Sequence, residues 1–108
     1  MTTTQSKSRR QMLEEFALRK PDDPFVRYGL AMECMNSGDV AAADQQFRTL
    51  IERTPNYVPA YLMFAQMLVR ESRADDAKRV LSSGITAALK KGDQHACAEM
   101  ESLLSELQ

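Results

Sequence analysis

Two consecutive segments of equal length decide the fold: residues 24–57, PFVRYGLAMECMNSGDVAAADQQFRTLIERTPNY, and residues 58–91, VPAYLMFAQMLVRESRADDAKRVLSSGITAALKK. When they are aligned, small residues match small residues and large apolar residues match large ones. The matched pairs are Leu30 with Phe64, Ala31 with Ala65, Cys34 with Leu68, Ala43 with Ala77, Phe47 with Leu81 and Ile51 with Ile85. Two copies of one packing unit require this agreement, so the chain contains an internal repeat.

Each copy is predicted to contain two helices joined by a turn. In the first copy, apolar residues recur at helical spacing over residues 30–35, and the pattern stops before Gly38 and Asp39. Gly38 can adopt the left-handed conformation that ends a helix, and Asp39 can cap the next helix through its side-chain oxygen. Asp23 followed by Pro24 predicts the start of the first helix.

The pattern continues for half a unit at each end. Residues 7–20 align with a second helix, since Leu13 matches Phe47 and Phe16 matches Leu50 at the same offset that relates the two copies. Residues 93–107 align with a first helix. We therefore predict one domain of about six helices over residues 7–108, after a flexible tail at residues 1–6. Its parts are an N-terminal helix (7–20), repeat 1 (24–57), repeat 2 (58–91) and a C-terminal capping helix (93–107).

The capping helix is aligned by a further step of the same offset, which places Met100 with Met32 and Leu103 with Met35. The same step places Glu99 where Ala31 and Ala65 stand in the two copies. A large side chain is acceptable at that position if no further helix packs against it.

The composition is that of a folded domain of ordinary polarity. The chain has 108 residues, a net charge of −1, 44% hydrophobic residues and 27% charged residues. It has no apolar run of about 18 residues, which a membrane-spanning helix would need, and no apolar stretch that would mark a secretory leader near its start. Two cysteines are too few for a disulfide framework and suit a reducing compartment, so we expect a cytoplasmic protein.

Charge is distributed unevenly along the chain. Residues 1–20 carry five basic and two acidic residues, whereas residues 93–108 carry four acidic residues and no basic one. The ends would therefore suit head-to-tail contacts between copies. The isoelectric point of about 5.8 argues against a nucleic-acid partner, and the basic cluster at the start is explained more simply by a solvated helix end than by membrane binding.

These segments resemble the tetratricopeptide repeat, whose motif of about 34 residues runs W-x2-L-G-x2-Y, then A-x3-F, then P. The first copy has Arg27-x2-Leu30-Ala31-x2-Cys34, Ala43-x3-Phe47 and Pro55, and the second has Tyr61-x2-Phe64-Ala65-x2-Leu68, Ala77-x3-Leu81 and Leu89 in place of the proline. The chain also resembles small bacterial proteins that contain little besides such repeats. The resemblance implies an all-α fold, a right-handed stack (α-α superhelix) of antiparallel helix pairs whose concave face is lined by the first helices. It also implies an adaptor that holds a peptide, a helix or another subunit.

The first helices carry more apolar residues than contact with the second helices alone can bury. Between Phe25 and Met35 the only charged residues are Arg27 and Glu33. A helix that is apolar nearly all round is normally buried on more than one side. We therefore predict a partner-binding groove formed by Phe25, Tyr28, Met32, Met35, Leu62, Met63, Gln66, Val69 and Arg70. The alternative for part of this set is internal packing between neighbouring first helices.

Residues suited to catalysis are scarce. The chain has one histidine, His95, and His95-x-Cys97 offers two metal ligands where structural zinc sites use four. Acidic doublets such as Asp75-Asp76 diverge by about 100° on a helix, so their carboxylates do not face each other. We therefore predict no catalytic, cofactor-binding or metal-binding residues. The leading hypothesis is a non-enzymatic interaction module, and the alternative is a self-assembling unit in which two or more copies bury the same face.

Overall fold

The computed structural model describes residues 7–108 and consists of six α-helices joined by short turns. They are α1 (Arg9–Arg19), α2 (Pro24–Asn36), α3 (Val40–Arg53), α4 (Pro59–Arg70), α5 (Ala74–Lys91) and α6 (Gln94–Leu107). Residues 7–108 contain no strand, so the predicted all-α fold is confirmed. Among these six helices, none combines the length and the apolar content needed to cross a lipid bilayer. The tail predicted at residues 1–6 lies outside the described residues.

Side-chain caps start the helices where the sequence predicted them. The carboxylates of Asp23, Asp39 and Asp93 accept hydrogen bonds from backbone N–H groups in the first turns of α2, α3 and α6, at distances between 3.0 and 3.4 Å. Helix α1 begins with a capping box formed by Ser8 and Gln11. These local hydrogen bonds satisfy backbone donors that the helix itself leaves unbonded.

The turns inside the two repeats have the same backbone conformation despite their different residues. Gly38 has a φ of 83°, and Ser72, its counterpart in the second repeat, has a φ of 60°. Arg73 stands where Asp39 caps α3, and it makes no side-chain cap. Its guanidinium instead donates hydrogen bonds to Asp44 of α3 and to Asp76 of α5, both at 2.9 Å. The second turn is therefore held by one ion pair to the first repeat and one within its own repeat.

Alanines are buried in both helices of each pair. Ala31 of α2, Ala43 of α3, Ala65 of α4 and Ala77 of α5 have no exposed surface. Because alanine adds only a methyl group, the two helices of a pair can approach closely at these positions.

The two repeats join through aromatic contact and sequential packing. The rings of Phe47 and Phe64 stack with centroids 5.2 Å apart, which connects α3 to α4. Each helix packs against the next one in the chain, and α6 also contacts α4. The stack is elongated, measuring 58 × 28 × 20 Å.

Helix α6 buries residues that its aligned positions in the other first helices do not bury. Met100 is fully buried, whereas Met32, its match in the sequence, is only half-buried. Helices α2, α4 and α6 begin at residues 24, 59 and 94, so the start of α6 keeps the spacing that separates α2 from α4. The match of Met100 with Met32 stays a prediction.

Glu99, which the sequence matches with Ala31 and Ala65, is exposed, and no helix after α6 covers it in residues 7–108. Helix α5 has 18 residues against 14 in α3, and the turn that follows it has two residues instead of five, so the two differences nearly cancel.

Gly84 gives a test of how closely α5 packs against its neighbours. A Cβ atom at Gly84 would lie 2.5 Å from Cβ of Tyr61 and 2.6 Å from Sδ of Met100. We expect Gly84→Ala to lower the free energy of unfolding by about 1–3 kcal/mol because of overpacking. This loss should outweigh the gain of about 1 kcal/mol in helix propensity. Urea denaturation followed by circular dichroism measures the change.

The matched control is Ser82→Ala, which changes an exposed residue of the same helix. We expect it to leave stability unchanged or slightly raised. If Gly84→Ala unfolded at the same urea concentration as the unmodified protein, the close packing of α4, α5 and α6 would be wrong.

Candidate functional site

An open apolar cleft of about 640 Å³ lies between α1 and α2. Helix α1 lines it with Leu13 and Phe16, and α2 lines it with Phe25, Tyr28 and Met32. Phe16 is 46% exposed and Phe25 is 73% exposed, which is unusual for large aromatic side chains on the same surface. Exposed apolar surface gathered at a concave site is typical of an interaction site.

The cleft is open because, in the part of the chain that the structure describes, α1 has a helix on only one side. Leu13 and Phe16 are the counterparts of Phe47 and Leu50, which are fully buried in α3. Helix α3 packs against both α2 and α4, whereas the main contact of α1 is with α2 alone. The exposed face of α1 is thus equivalent to a face that α3 buries completely.

Basic side chains border the cleft at both ends. At one end Nε of Arg9 lies 3.3 Å from Oε2 of Glu33. At the other end are Arg19 and Lys20, and the guanidinium carbon of Arg19 lies 5.0 Å from the centroid of the Phe16 ring. None of the ion pairs within residues 7–108 includes Arg19 or Lys20. This end of the cleft therefore carries uncompensated positive charge.

One carboxylate attaches α1 to the first repeat. Nη1 of Arg10 donates a hydrogen bond of 2.9 Å to Oδ2 of Asp39, whose other oxygen caps α3 by accepting from the backbone N–H of Ala42. The hydrogen bond from Arg10 holds the pKa of Asp39 below its usual range, and the bond from Ala42 adds to this effect. The Arg10–Asp39 ion pair thus helps to hold α1, one wall of the cleft, and the same carboxylate caps α3.

The predicted groove residues fall into separate places. Three of them, Phe25, Tyr28 and Met32, line the α1–α2 cleft. Leu62 and Gln66 line a depression of about 410 Å³ between α4 and α6. The others are half-buried against the core or exposed beside it, and these are Met35, Met63, Val69 and Arg70. A single groove through all nine residues therefore stays a prediction.

Part of the predicted set also packs internally. The rings of Tyr28 and Tyr57 lie with centroids 5.4 Å apart, and burial raises the pKa of the Tyr28 phenol. Sequence reasoning missed the contribution of α1, because it placed the groove on the first helices alone. The available signal was the match of Phe16 with Leu50, which gives α1 an apolar face that needs a covering helix.

A second cleft, of about 700 Å³, lies between α3 and α5 and is less suited to apolar ligands. Ser83, Thr86 and Lys90 contribute polar groups to its lining, and Nζ of Lys91 donates to the backbone oxygen of Asn56. None of the large hydrophobic side chains that are exposed in residues 7–108 lines it. The α1–α2 cleft is the better candidate for protein binding.

The residues with potential for catalysis or metal binding do not converge. His95 is exposed, with Nε2 2.9 Å from Oε1 of Glu99, while the buried Cys97 donates from Sγ to Oε1 of Glu101 at 3.1 Å. That hydrogen bond raises the pKa of the Cys97 thiol, and burial raises the pKa of the Cys34 thiol. Over residues 7–108, no three His, Cys, Asp or Glu side chains are grouped as metal ligands would be.

Comparison with known proteins found relatives of the same size and fold. The tetratricopeptide repeat domain protein of Salinibacter ruber is 32% identical to this chain. Its solution structure has a TM-score of 0.77 and matches 82% of this chain and 89% of that protein. Its crystal structure has a TM-score of 0.74 and matches 79% of this chain and 96% of that one.

Two more distant proteins agree with this result. A TPR repeat-containing protein of Pseudomonas aeruginosa is 23% identical over 95 residues, which are 88% of this chain and 90% of the relative. The solution structure of a Bordetella parapertussis protein, 22% identical, has a TM-score of 0.78 over 94% of this chain and 89% of that one, and so shows the same fold. No protein-family model matches the chain.

Protonation of Asp39 at low pH should weaken the attachment of α1 to the first repeat, because it breaks the ion pair with Arg10. The pKa of Asp39 is lower in the folded protein than in the unfolded chain. The ionised carboxylate therefore contributes its full stabilisation above the ordinary carboxyl pKa, and this stabilisation is lost as the pH falls through the lowered pKa. We expect amide hydrogen exchange in residues 12–17 of α1 to accelerate severalfold over this range, relative to exchange in α4. NMR measures both helices in one sample.

The control is Asp39→Asn, because asparagine also caps helices but cannot titrate. The substitution leaves Glu14 and Glu33, which also contact arginines of α1, unchanged, so the difference between the two pH profiles isolates Asp39. Identical profiles would show that the Arg10–Asp39 pair does not hold α1.

Proposed function

The chain belongs to the tetratricopeptide repeat family, and from this premise we propose that it is a non-enzymatic adaptor that binds a segment of another protein in the α1–α2 cleft. The observation that carries the proposal is the exposure of Phe16 and Phe25 on facing sides of this cleft. The repeat fold suits protein interaction, since stacked helix pairs present an extended surface.

The cleft offers apolar surface that a partner could bury. Complete burial of one large apolar side chain stabilises a complex by about 1.5–3 kcal/mol, and the cleft offers Leu13, Phe16, Phe25 and Met32. Ordering of the bound segment and loss of overall motion oppose this gain by several kcal/mol. Because the gain and the cost are of similar size, the proposed partner also covers neighbouring surface.

Neighbouring surface is available on the other first helices. In the proposal, the bound segment extends from the cleft past Met35 and Met63 toward Leu62 and Gln66, which border the depression between α4 and α6. Val69 and Arg70 lie near the end of α4 and form the far border of this surface. The predicted groove thus becomes an extension of the α1–α2 cleft.

The proposal that the chain is not an enzyme rests on the pKa values of its two cysteines and on the exposed position of its histidine. A cysteine nucleophile needs a lowered pKa, whereas the pKa values of Cys34 and Cys97 are raised. His95 has one carboxylate neighbour, Glu99, and both lie on exposed surface. Two free thiols also support a cytoplasmic location.

Affinity capture tests the proposal. Tagged protein is used to capture partners from the source cell, and captured proteins are quantified by mass spectrometry for unmodified protein, Met32→Glu, Leu62→Glu and the control Leu18→Glu. We expect Met32→Glu to reduce capture of a specific partner at least about tenfold, since a charge in the cleft removes one apolar contact and adds desolvation. Leu18 is 83% exposed and does not line the cleft, so Leu18→Glu should have no effect.

Two further measurements make the result decisive. Circular dichroism must show unchanged helicity in Met32→Glu, because unfolding would mean that this side chain is internal and would count against an exposed cleft. Light scattering at micromolar concentration distinguishes the alternative function: a stable dimer that Met32→Glu dissociates would identify a self-assembling unit. Equal capture by Met32→Glu and Leu18→Glu would contradict binding in the cleft.

A further inference from the structure

We propose that the α1–α2 cleft binds an amphipathic α-helix of a partner protein, which lies antiparallel to α1 and places an acidic residue beside Arg19. The inference rests on the proposed function and adds the conformation, direction and charge of the bound segment. It follows from the internal repeat, because the chain itself contains a filled counterpart of this cleft.

The filled counterpart is the face of α3 that α2 covers. On the α1 side the cleft is lined by Arg9, Leu13 and Phe16. Their counterparts one repeat further along the chain are fully buried in α3, against which α2 packs, and these are Ala43, Phe47 and Leu50. On the α2 side the counterparts of Phe25 and Met32 are exposed, so the comparison applies to the α1 side of the cleft. A helix is therefore the shape that the α1 side accommodates.

The dimensions of the cleft suit a helix of three turns. On α1 the cleft extends from Arg9 to Lys20, along one helix face. Eleven residues of helix rise by about 17 Å. Helix α2, which fills the counterpart, has 13 residues and is about 20 Å long. A partner helix of similar length would cover the cleft from end to end.

The direction of the partner helix follows from the ion pairs of the counterpart. Nη1 of Arg53, at the end of α3, donates to the backbone oxygen of Pro21 at 3.1 Å and to Oδ1 of Asp22 at 3.3 Å, just before α2 begins. Arg19 is the counterpart of Arg53 on α1, and Lys20 follows it. Neither cation is paired within residues 7–108. A carboxylate just before the partner helix can therefore pair with Arg19 as Asp22 pairs with Arg53.

The macrodipole of the partner helix opposes this direction, because the N-terminal end of a helix carries partial positive charge. An acidic residue before the first turn offsets that charge and can pair with Arg19, as Asp22 pairs with Arg53 in the counterpart. The proposed direction therefore rests on the carboxylate and not on the macrodipole.

The chain's own acidic helix is less suited to this cleft. The exposed side of α6 carries Ala98, Glu99, Glu101 and Ser102, so it offers charge but no large apolar side chain to contact Phe16 and Phe25. Such a polar face is typical of a helix that caps a repeat stack. The two ends of the described chain therefore differ: α6 presents a polar surface and α1 an apolar one. This difference favours a helix of another protein over a second copy.

The probe for the experiment is a synthetic peptide that copies residues 21–37, the chain's own α2 with the preceding Asp22, with Cys34→Ala to prevent disulfides. Binding to the full chain is measured by NMR chemical shifts and by fluorescence anisotropy. We expect shifts at amides of the α1–α2 cleft. Phe16→Asp should weaken binding at least about tenfold, and the control Leu18→Asp should stay within about twofold of the unmodified chain.

A charge exchange tests the direction. Arg19→Glu in the chain, or Asp22→Lys in the peptide, should each weaken binding about three- to fivefold, as expected for an exposed ion pair. The two changes together should recover the affinity to within about twofold. If the two changes together weaken binding by the product of their separate effects, the proposed direction is wrong.

A non-helical peptide separates this inference from the proposed function. Ala31→Pro in the peptide prevents a continuous helix. If this peptide shifts the same cleft amides with equal affinity, the cleft binds proteins but the helical inference is overturned. The inference also fails if Phe16→Asp and Leu18→Asp bind the helical peptide equally well. If the chain alone forms dimers that Phe16→Asp dissociates, the occupant is a second copy and the inference is overturned.

Discussion

The close approach of helices at buried alanines is the constraint on which the structure depends. Ala31 and Ala43 in the first repeat, like Ala65 and Ala77 in the second, have no exposed surface. A methyl group in place of a larger side chain lets the axes of paired helices come together, so that larger side chains on either side interlock. Repetition of this packing turns one helix pair into a stack, and the rings of Phe47 and Phe64 join the two repeats. The packing also gives the second helix of each pair an apolar face that the first helix of the pair must cover.

The binding site that we propose lies where the apolar face of a second helix is not covered by a first helix. Helix α1 has the residues of a second helix, Leu13 and Phe16, but no first helix precedes it within residues 7–108. At the other end, α6 has Glu99 and Glu101 on its exposed side and needs no further cover. One end of the described stack is thus polar, while the other exposes apolar surface between basic residues. The incomplete repeat provides both the shape and the charge of a binding site.

The sequence predicts the fold well because the signals are local. Asp23 and Asp39 cap the helices that they were expected to cap, since a cap needs only the residues of one turn. The burial of Met100 could not be read from its match with Met32, because it depends on how α6 packs against α4 and α5. The contribution of Phe16 to the cleft was missed because exposure depends on whether a neighbouring helix is present. The same residue type, at the same repeat position, is buried in α3 and open in α1.

The most direct test of this account uses the four phenylalanines of the chain as reporters. Fluorine-labelled phenylalanine gives one ¹⁹F NMR signal per residue, assigned by single substitutions, and a soluble paramagnetic compound broadens the signals of exposed rings. The account predicts that Phe16 and Phe25 broaden strongly while Phe47 and Phe64 are protected. Protection of Phe16 and Phe25 in the monomeric chain would contradict it, because the apolar face of α1 would then already be covered.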